Sequence, residues 1–545
     1  MKITKKIAAL VLALAMITAA FAGCGSDTGS STAASNPASG TDSSAASTPA
    51  STPASTPAED DGEVHPMRIV QPGTLCTDYE TGIAAVNEKL KADGVNIEVS
   101  VQRIPWDSYA EKLNLMLTTG EEFELLHVMQ DVKNLSAIAG MDAVIPLDDY
   151  LEKYPDLVSR FTDLEWQGTL YKGQRYAVPC SWRTFDNTMS YMEARTDVMK
   201  KVGYDEFPSE SVDDLIDMMK KSQDYILEET GVKAYNWFHQ NQDTAHWLHR
   251  TYDTYPFYVE NSLGIVLARQ DGTIDSFYES EEFKNDANTY YKMYQEGLIN
   301  PDILNLDSQV KYDQANLGAM LPSQTFDPAQ GVTIMQKTDL KDVQVDTYKM
   351  AKDKPEMIYT YVQNLNAISA TSENPESGLK FLNWLYDSKE NHDLFHYGIE
   401  GTHFTAVGED RMDQMKGDDD NPLYQMDTWM TGYIPYMRYT SVAPDTQIEY
   451  MTYRADNYVV SPIAGFIFDS SNVTSELTNL QTEIIASIYP IKVGMVPYEE
   501  NIGPAIEKLK AAGLDKYLEE YRAQFEQYLK DNPDVMEMAK GSTAG

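Results

Sequence analysis

The sequence predicts an α/β fold in two lobes, and three observations carry that prediction. Strand and helix patterns alternate from Met67 to Met129, and a second series begins after Ser181. Behind the N-terminal stretch lie about 480 residues, more than one hydrophobic core usually organises.

Taken in order, Met67–Gln71 is a short apolar run, and Asp78–Ala92 places Ile83, Val86 and Leu90 on one helical face. From Val95 to Ile104, Val95, Ile97, Val99 and Val101 alternate inward as a strand does. The spacing of Tyr109, Leu113, Met116 and Leu117 predicts a helix over Trp106–Thr119, stopped by Gly120. Phe123–Met129 reads as a buried strand, completing the order expected of a parallel sheet covered by helices on both faces. The stretch Tyr171–Cys180 reads as a hairpin leading to a crossover between lobes. Thr188–Glu193 then predicts a strand, and Ser211 caps a helix carrying Val212, Leu215, Ile216 and Met219. Met357–Ser369 is a long extended run on which the chain crosses back, and Asn374-Pro375 starts a helix with Leu379, Leu382 and Leu385 on its apolar stripe. Val473, Leu477, Leu480, Ile484 and Ile488 mark a long helix, followed by a charged helical pair over Pro504–Leu529 broken near Gly513. The expected first lobe is therefore 66–180 with about 362–425. The second is 181–361 with about 426–545, its last part a helical cap.

The N-terminus carries an address. Lys2, Lys5 and Lys6 precede the apolar run Ile7–Phe21, which is too short for a permanent membrane span and ends in Ala22-Gly23-Cys24. Small residues before a cysteine are what lipoprotein signal peptidase cuts, so residues 1–23 are expected to be removed and Cys24 lipidated. Residues 24–65 are almost entirely Ser, Thr, Ala, Pro and Gly, with nothing to bury. Such a segment predicts a disordered tether with a reach of about 35 Å. The expected location is the outer face of the cell membrane.

Composition excludes several classes of function. The formal charge is −41, and losing the three leader lysines takes it to about −44, which repels nucleic acid and anionic headgroups. Only three cysteines are present; with Cys24 lipidated, Cys76 and Cys180 read as small core residues, a single disulfide being the alternative. By contrast, 35 Tyr, 7 Trp and 16 Phe supply stackable faces with hydrogen-bonding edges, the mixture that sugar rings present in return.

No reaction signature accompanies these residues. The pair His392 and His396 reads H-D-L-F-H, not H-E-x-x-H, and His246 with His249 is likewise read as structural, so no metal or cofactor is expected. Gly168–Arg175 approaches the spacing of a phosphate-binding loop but lacks its Lys and Ser/Thr. With 84 Asp and Glu, carboxylate pairs arise by chance, and none is singled out as the acid of a glycoside hydrolase. A cell-surface hydrolase and an adhesin remain the alternatives.

Several motifs resemble one family. They are the Gly173-Gln174-Arg175-Tyr176-Ala177-Val178-Pro179 hairpin, Asn366-Ala367-Ile368-Ser369 before a helix, Tyr397–Phe404, and Gly513-Leu514-Asp515-Lys516 after a Leu-Lys-Ala-Ala helix. With the leader and the tether, they resemble the large extracellular solute-binding lipoproteins of carbohydrate ABC importers, in particular a Gram-positive subgroup with an extra C-terminal region. The resemblance implies a two-lobe periplasmic-binding-protein-like fold with a hinge and a central cleft. A sugar or oligosaccharide would be held there and released unaltered to a pair of permease subunits, by a monomer with no enzyme activity. It also implies where the solute is held: Gln130 and Asp131 after the third strand, Trp182 and Arg183 after the crossover, and Trp237, His246 and Trp247 in an aromatic-rich stretch of lobe two. Gln363, Asn364 and Asn366 on the return crossover, with Trp429 and Tyr433, complete the expected set.

Overall fold

The structure, a computed structural model, describes residues 62–130, 132–182, 191–235, 245–260, 263–306, 320–321, 334–335, 341–418, 421–452 and 457–541. Cys24, Asp131, Arg183 and Trp237, with the leader and most of the tether, lie outside the described residues. The principal sheet comprises β1 (His65–Pro72), β2 (Ile97–Ile104), β3 (Leu125–Met129), β4 (Val178–Pro179) and β5 (Asn364–Ile368), in the order β2-β1-β3-β5-β4. β1 runs parallel to β2 and β3, whereas β5 runs antiparallel to β3 and β4. Alternation along the strands sorts their side chains to two faces. Met67, Ile69, Val99, Val101 and Ile368 meet Ile83, Val86 and Leu90 of helix Tyr79–Ala92 and Leu379 and Leu382 of helix Glu376–Leu385. On the opposite face Val70, Leu126, Val128 and Leu365 meet Leu113 and Met116 of helix Tyr109–Thr119 and Ile138 of Leu135–Gly140. Gly120 ends the former helix with φ 69°, the left-handed turn that the sequence signals.

The second lobe is less regular than a repeated strand-helix series predicts. Strand Tyr191–Arg195 pairs antiparallel with Val345–Lys349 and with Met320–Leu321, separated from it by more than a hundred residues of chain. Beside it, Phe257–Val259, Val266–Arg269 and Ile274–Ser276 form an antiparallel meander. These strands are three or four residues long, too short to register as a period in sequence. Helix Val212–Thr230 starts as expected, Ser211 accepting the Asp214 N–H, and its Leu215, Ile216 and Met219 pack with Met192, Trp247 and Met293.

At the C-terminus, the single helix expected over Val473–Ile488 is a short 3-10 turn, an α-helix Thr474–Glu483, a π-turn Ile484–Ile488 and a last turn Tyr489–Lys492. Pro490 supplies the reason: it has no N–H for an upstream carbonyl, and the helix widens in the turn that precedes it. Helices Tyr498–Ala512 and Leu514–Asp531 flank Gly513, whose φ of 111° permits the break. Their Leu509, Tyr517, Tyr521 and Phe525 close one core with Val266, Leu267 and Phe277 of the meander.

Three stretches run between the sheet and the second-lobe cores. Residues 178–182 leave along β4, and the run expected over Met357–Ser369 divides into Glu356–Ile358, paired with Tyr458–Val460, and β5. The third lies close to the lobe boundary expected at about 425–426. Ser181 bridges to Tyr433, and Ile434, Met437, Tyr439, Ala443, Ile448 and Met451 form a small cluster against which Trp182 packs.

Candidate functional site

The carboxyl edge of a parallel sheet is where loop ends converge and backbone groups go unpaired, and this sheet has one such edge. β1, β2 and β3 end there at Pro72, Ile104 and Met129, β4 ends there at Pro179, and β5, running the other way, begins there at Asn364. The short helix Thr428–Thr431 is laid against this edge. Its Trp429 stacks on Trp106, which follows β2, with ring centroids 5.9 Å apart and planes inclined by 25°. Trp106 is 56% exposed, an unusual position for a ring of that size. Behind the pair, the His127 imidazole meets Trp429 edge-on at 5.2 Å. At the β4 end, the Trp182 indole N–H donates to Asn364 Oδ1 at 3.0 Å, and Asn364 Nδ2 lies 3.2 Å from His127 Nε2.

Electrically the edge is muted. The buried Arg103 guanidinium donates to the Pro72 carbonyl (2.8 Å) and pairs with Asp427 at 3.1 Å, so its charge is answered locally. Burial pushes the His127 imidazole down to about 3, so it is neutral at physiological pH. His392 and His396 are both fully buried, their ring centroids 4.3 Å apart, and they brace the segment that carries Trp429. His392 Nε2 accepts the Tyr433 N–H, and His396 lies between the carbonyls of Met426 (2.9 Å) and Thr431 (3.2 Å). Indole faces, amides and a neutral imidazole suit an uncharged polar solute better than an ionic one.

The expected site residues fall into three groups. Trp182, Gln363 and Trp429 are half-buried at the carboxyl edge; Gln130, also there, uses its Oε1 to accept the Leu135 N–H. Asn364 (4% exposed) and Asn366 (0%) stand one layer behind, the Asn364 amide between Trp182 and His127 and the Asn366 Nδ2 donating to the Met430 carbonyl, and Tyr433 is buried among Phe161, Tyr386 and Tyr436. His246 and Trp247 belong to a different part of the molecule. Trp247 is 4% exposed in the second-lobe core, its indole N–H donating to the Tyr290 hydroxyl, and His246 is buried beside His249. Two residues went unrecognised in sequence, Trp106 and His127. A lone Trp directly after the strand-ending Ile104-Pro105 was a usable signal for the first, whereas nothing distinguishes a histidine inside an apolar strand. Cys76 and Cys180 are both free thiols, the latter buried.

A family model described as "Bacterial extracellular solute-binding protein" matches residues 77–392, more than half of the chain. This chain belongs to that family. A second model, "Domain of unknown function (DUF3502)", matches residues 462–530 of the solute-binding protein. A Streptococcus pneumoniae protein described as a carbohydrate ABC transporter substrate-binding protein is 23% identical over 480 residues, spanning 87% of this chain and 92% of its own. Among solved structures, the N-glycan transport solute binding protein NgtS of the same species superposes with a TM-score of 0.64 at 20% identity, over 86% of this chain and 99% of that one. A solute binding protein from Bifidobacterium longum infantis, described as binding HMO, gives 0.58 at 16% identity over 86% and 99%. These likenesses fix the two-lobe periplasmic-binding-protein-like fold of the solute-binding protein.

Proposed function

We propose that this chain is the solute-capturing component of a carbohydrate ABC importer, holding an uncharged oligosaccharide at the carboxyl edge of its first-lobe sheet. The observation that carries the reading is the Trp106–Trp429 pair, exposed indole surface backed by neutral amides and an imidazole. Sugar rings offer an apolar face to such a platform and hydroxyls to the groups around it. The relatives named above support the ligand class, since NgtS structures are described with Man1GlcNAc and Man5GlcNAc. Bending of the three linking stretches would bring the second lobe down over the solute, and the closed form would signal occupancy to the permease pair. Within this reading the lobes divide as the sequence suggests, except that the packing of Met426, Trp429 and Tyr433 on the first sheet favours assigning residues up to about 436 to lobe one. Lipid on Cys24 and the Ser/Thr-rich tether would hold a monomer at the outer membrane face. The solute is released unchanged.

A thermal-shift screen of the soluble body with Man1GlcNAc, Man5GlcNAc, maltose and a wider glycan panel tests the proposal. A ligand at 100 times its Kd stabilises by about 2.7 kcal/mol. Absence of a shift with every glycan, or products of cleavage in the same tubes, defeats it. The anchor is tested separately: Cys24→Ala is expected to release the protein from the membrane fraction.

A further inference from the structure

The buried polar layer behind the tryptophan platform contains an unusual amount of information about protons. An indole nitrogen only donates, so the Asn364 oxygen faces Trp182 and its Nδ2 faces His127. His127 Nε2 must then accept, which puts the single imidazole proton on Nδ1. The other end of the layer leads independently to the same assignment. Asn366 Nδ2 donates to the Met430 carbonyl at 3.1 Å, leaving Asn366 Oδ1 as an acceptor. That oxygen and His127 Nδ1 are both buried with no other hydrogen bond of normal geometry, the Asn366 side chain and the Met430 backbone are the groups that act on the imidazole as hydrogen-bond partners, and His127 and Asn366 are register partners across β3 and β5. One donor and one acceptor thus remain on adjacent strands. Joined, they complete a one-way chain from Trp182 through Asn364, His127 and Asn366 to Met430, the residue after Trp429.

We infer that His127, Asn364 and Asn366 are positioning residues of the solute site, forming a directional hydrogen-bond relay that holds Trp182 and the Trp429 segment in fixed register across the sheet edge. Every member has one orientation and one protonation state, which is what a buried network needs to specify a single geometry. Full burial opposes a second proton on His127 and outweighs the smaller upward pull of Asn366 and the Met430 backbone, with the nearby Arg103 acting in the same sense as burial. The Trp429 ring, edge-on to His127, inherits its orientation from the same group. The relay itself is independent of ligand identity; only its importance for affinity rests on the carbohydrate reading.

The test is Asn364→Asp, which keeps the shape but turns the Nδ2 donor into an acceptor. In wild-type protein with 15N-labelled histidine and tryptophan, NMR is expected to show His127 protonated on Nδ1 and bare on Nε2. In N364D the proton moves to Nε2 or the ring becomes an imidazolium, the indole N–H resonances of Trp182 and Trp429 both shift, and affinity for a glycan bound by wild type falls at least tenfold. Wild-type His127 protonated on Nε2 overturns the relay, and so does an N364D protein with both indole resonances unmoved. Affinity unchanged in N364D despite shifted indoles overturns the positioning role. If N364D does not fold, Trp182→Phe serves: the Trp429 indole resonance is expected to move, and a fixed one counts against the proposal. Should wild type bind no glycan, including Man5GlcNAc, the carbohydrate reading fails while the resonances still decide the relay.

Discussion

At the residue scale, the two kinds of tryptophan in this protein should respond differently to the same change. Exposed Trp106 and half-buried Trp429 form the stack at the sheet edge, so Trp106→Ala and Trp429→Ala are each expected to weaken glycan binding by tenfold or more, about 1.4 kcal/mol, with little loss of melting temperature for Trp106→Ala. Trp247, buried with Met293 and Leu215, should do the reverse: its truncation leaves a cavity costing about 3–5 kcal/mol of stability. Isothermal titration and chemical denaturation of the three variants separate the cases. Arg250 is a second informative residue. It is fully buried and donates to the carbonyls of Met350, Ala351, Lys354 and Pro355, a fan that gathers the loop ahead of Glu356. A lysine has one ammonium and cannot span four carbonyls, so Arg250→Lys is expected to lose about 3 kcal/mol or more in a urea titration, close to the loss from Arg250→Met.

At the element scale, the region matched only as a domain of unknown function has a structural part to play. Helices Tyr498–Ala512 and Leu514–Asp531 supply Leu509, Leu514, Tyr517, Leu518, Tyr521 and Phe525 to a core whose other half is the meander and Phe283. Gln270 ties this assembly further, donating to the Val460 and Ala539 carbonyls from a meander turn. Neither half can bury its apolar face alone. A chain ending at residue 461 is therefore expected to aggregate or lose cooperative melting, measured by circular dichroism and light scattering. Independent folding with full glycan affinity would show the helices to be an appendage. The C-terminal helices were readable in sequence because their period runs for many turns; the meander was not, because its short strands are defined by partners rather than by pattern.

At the scale of the whole molecule, buried histidines set an acid limit. His127, His392 and His396 lie in the first lobe, and burial holds His127 at about 3, His396 at about 4 and His392 well below its ordinary value, with its neighbours His396, Lys389 and Arg438 adding to the last shift. An unfolded chain takes up protons on these rings below about pH 6.5, while the folded chain does not. Their contribution is therefore complete above that pH and is lost as pH falls from about 6.5 toward 4. At pH 5 His127 and His396 each remove about 2 kcal/mol, and His392 acts in the same direction. Denaturation midpoints should fall between pH 7 and pH 5, opposed in part by the buried carboxyls Glu124 and Asp393, which desolvation raises and which act in the opposite sense. A flat profile over that window would mean that the three rings are accessible to protons in the native state.

Local pattern and composition are enough for the α/β class, the long helices, the strands of the first sheet and the acidic, aromatic-rich character of the molecule. Periodicity and capping act over a few residues, so they survive without knowledge of the partner. Which aromatics share an edge follows from long-range packing alone. Trp247 lies in an aromatic-rich stretch yet is core, while Trp106, in the 3-10 turn Trp106–Ser108 ahead of helix Tyr109–Thr119, faces outward beside Trp429, more than 300 residues away. The same holds for Asn364 and Asn366, whose burial behind the platform follows from strand register between β3 and β5. Register is a pairing of distant segments, and no single stretch of chain encodes it.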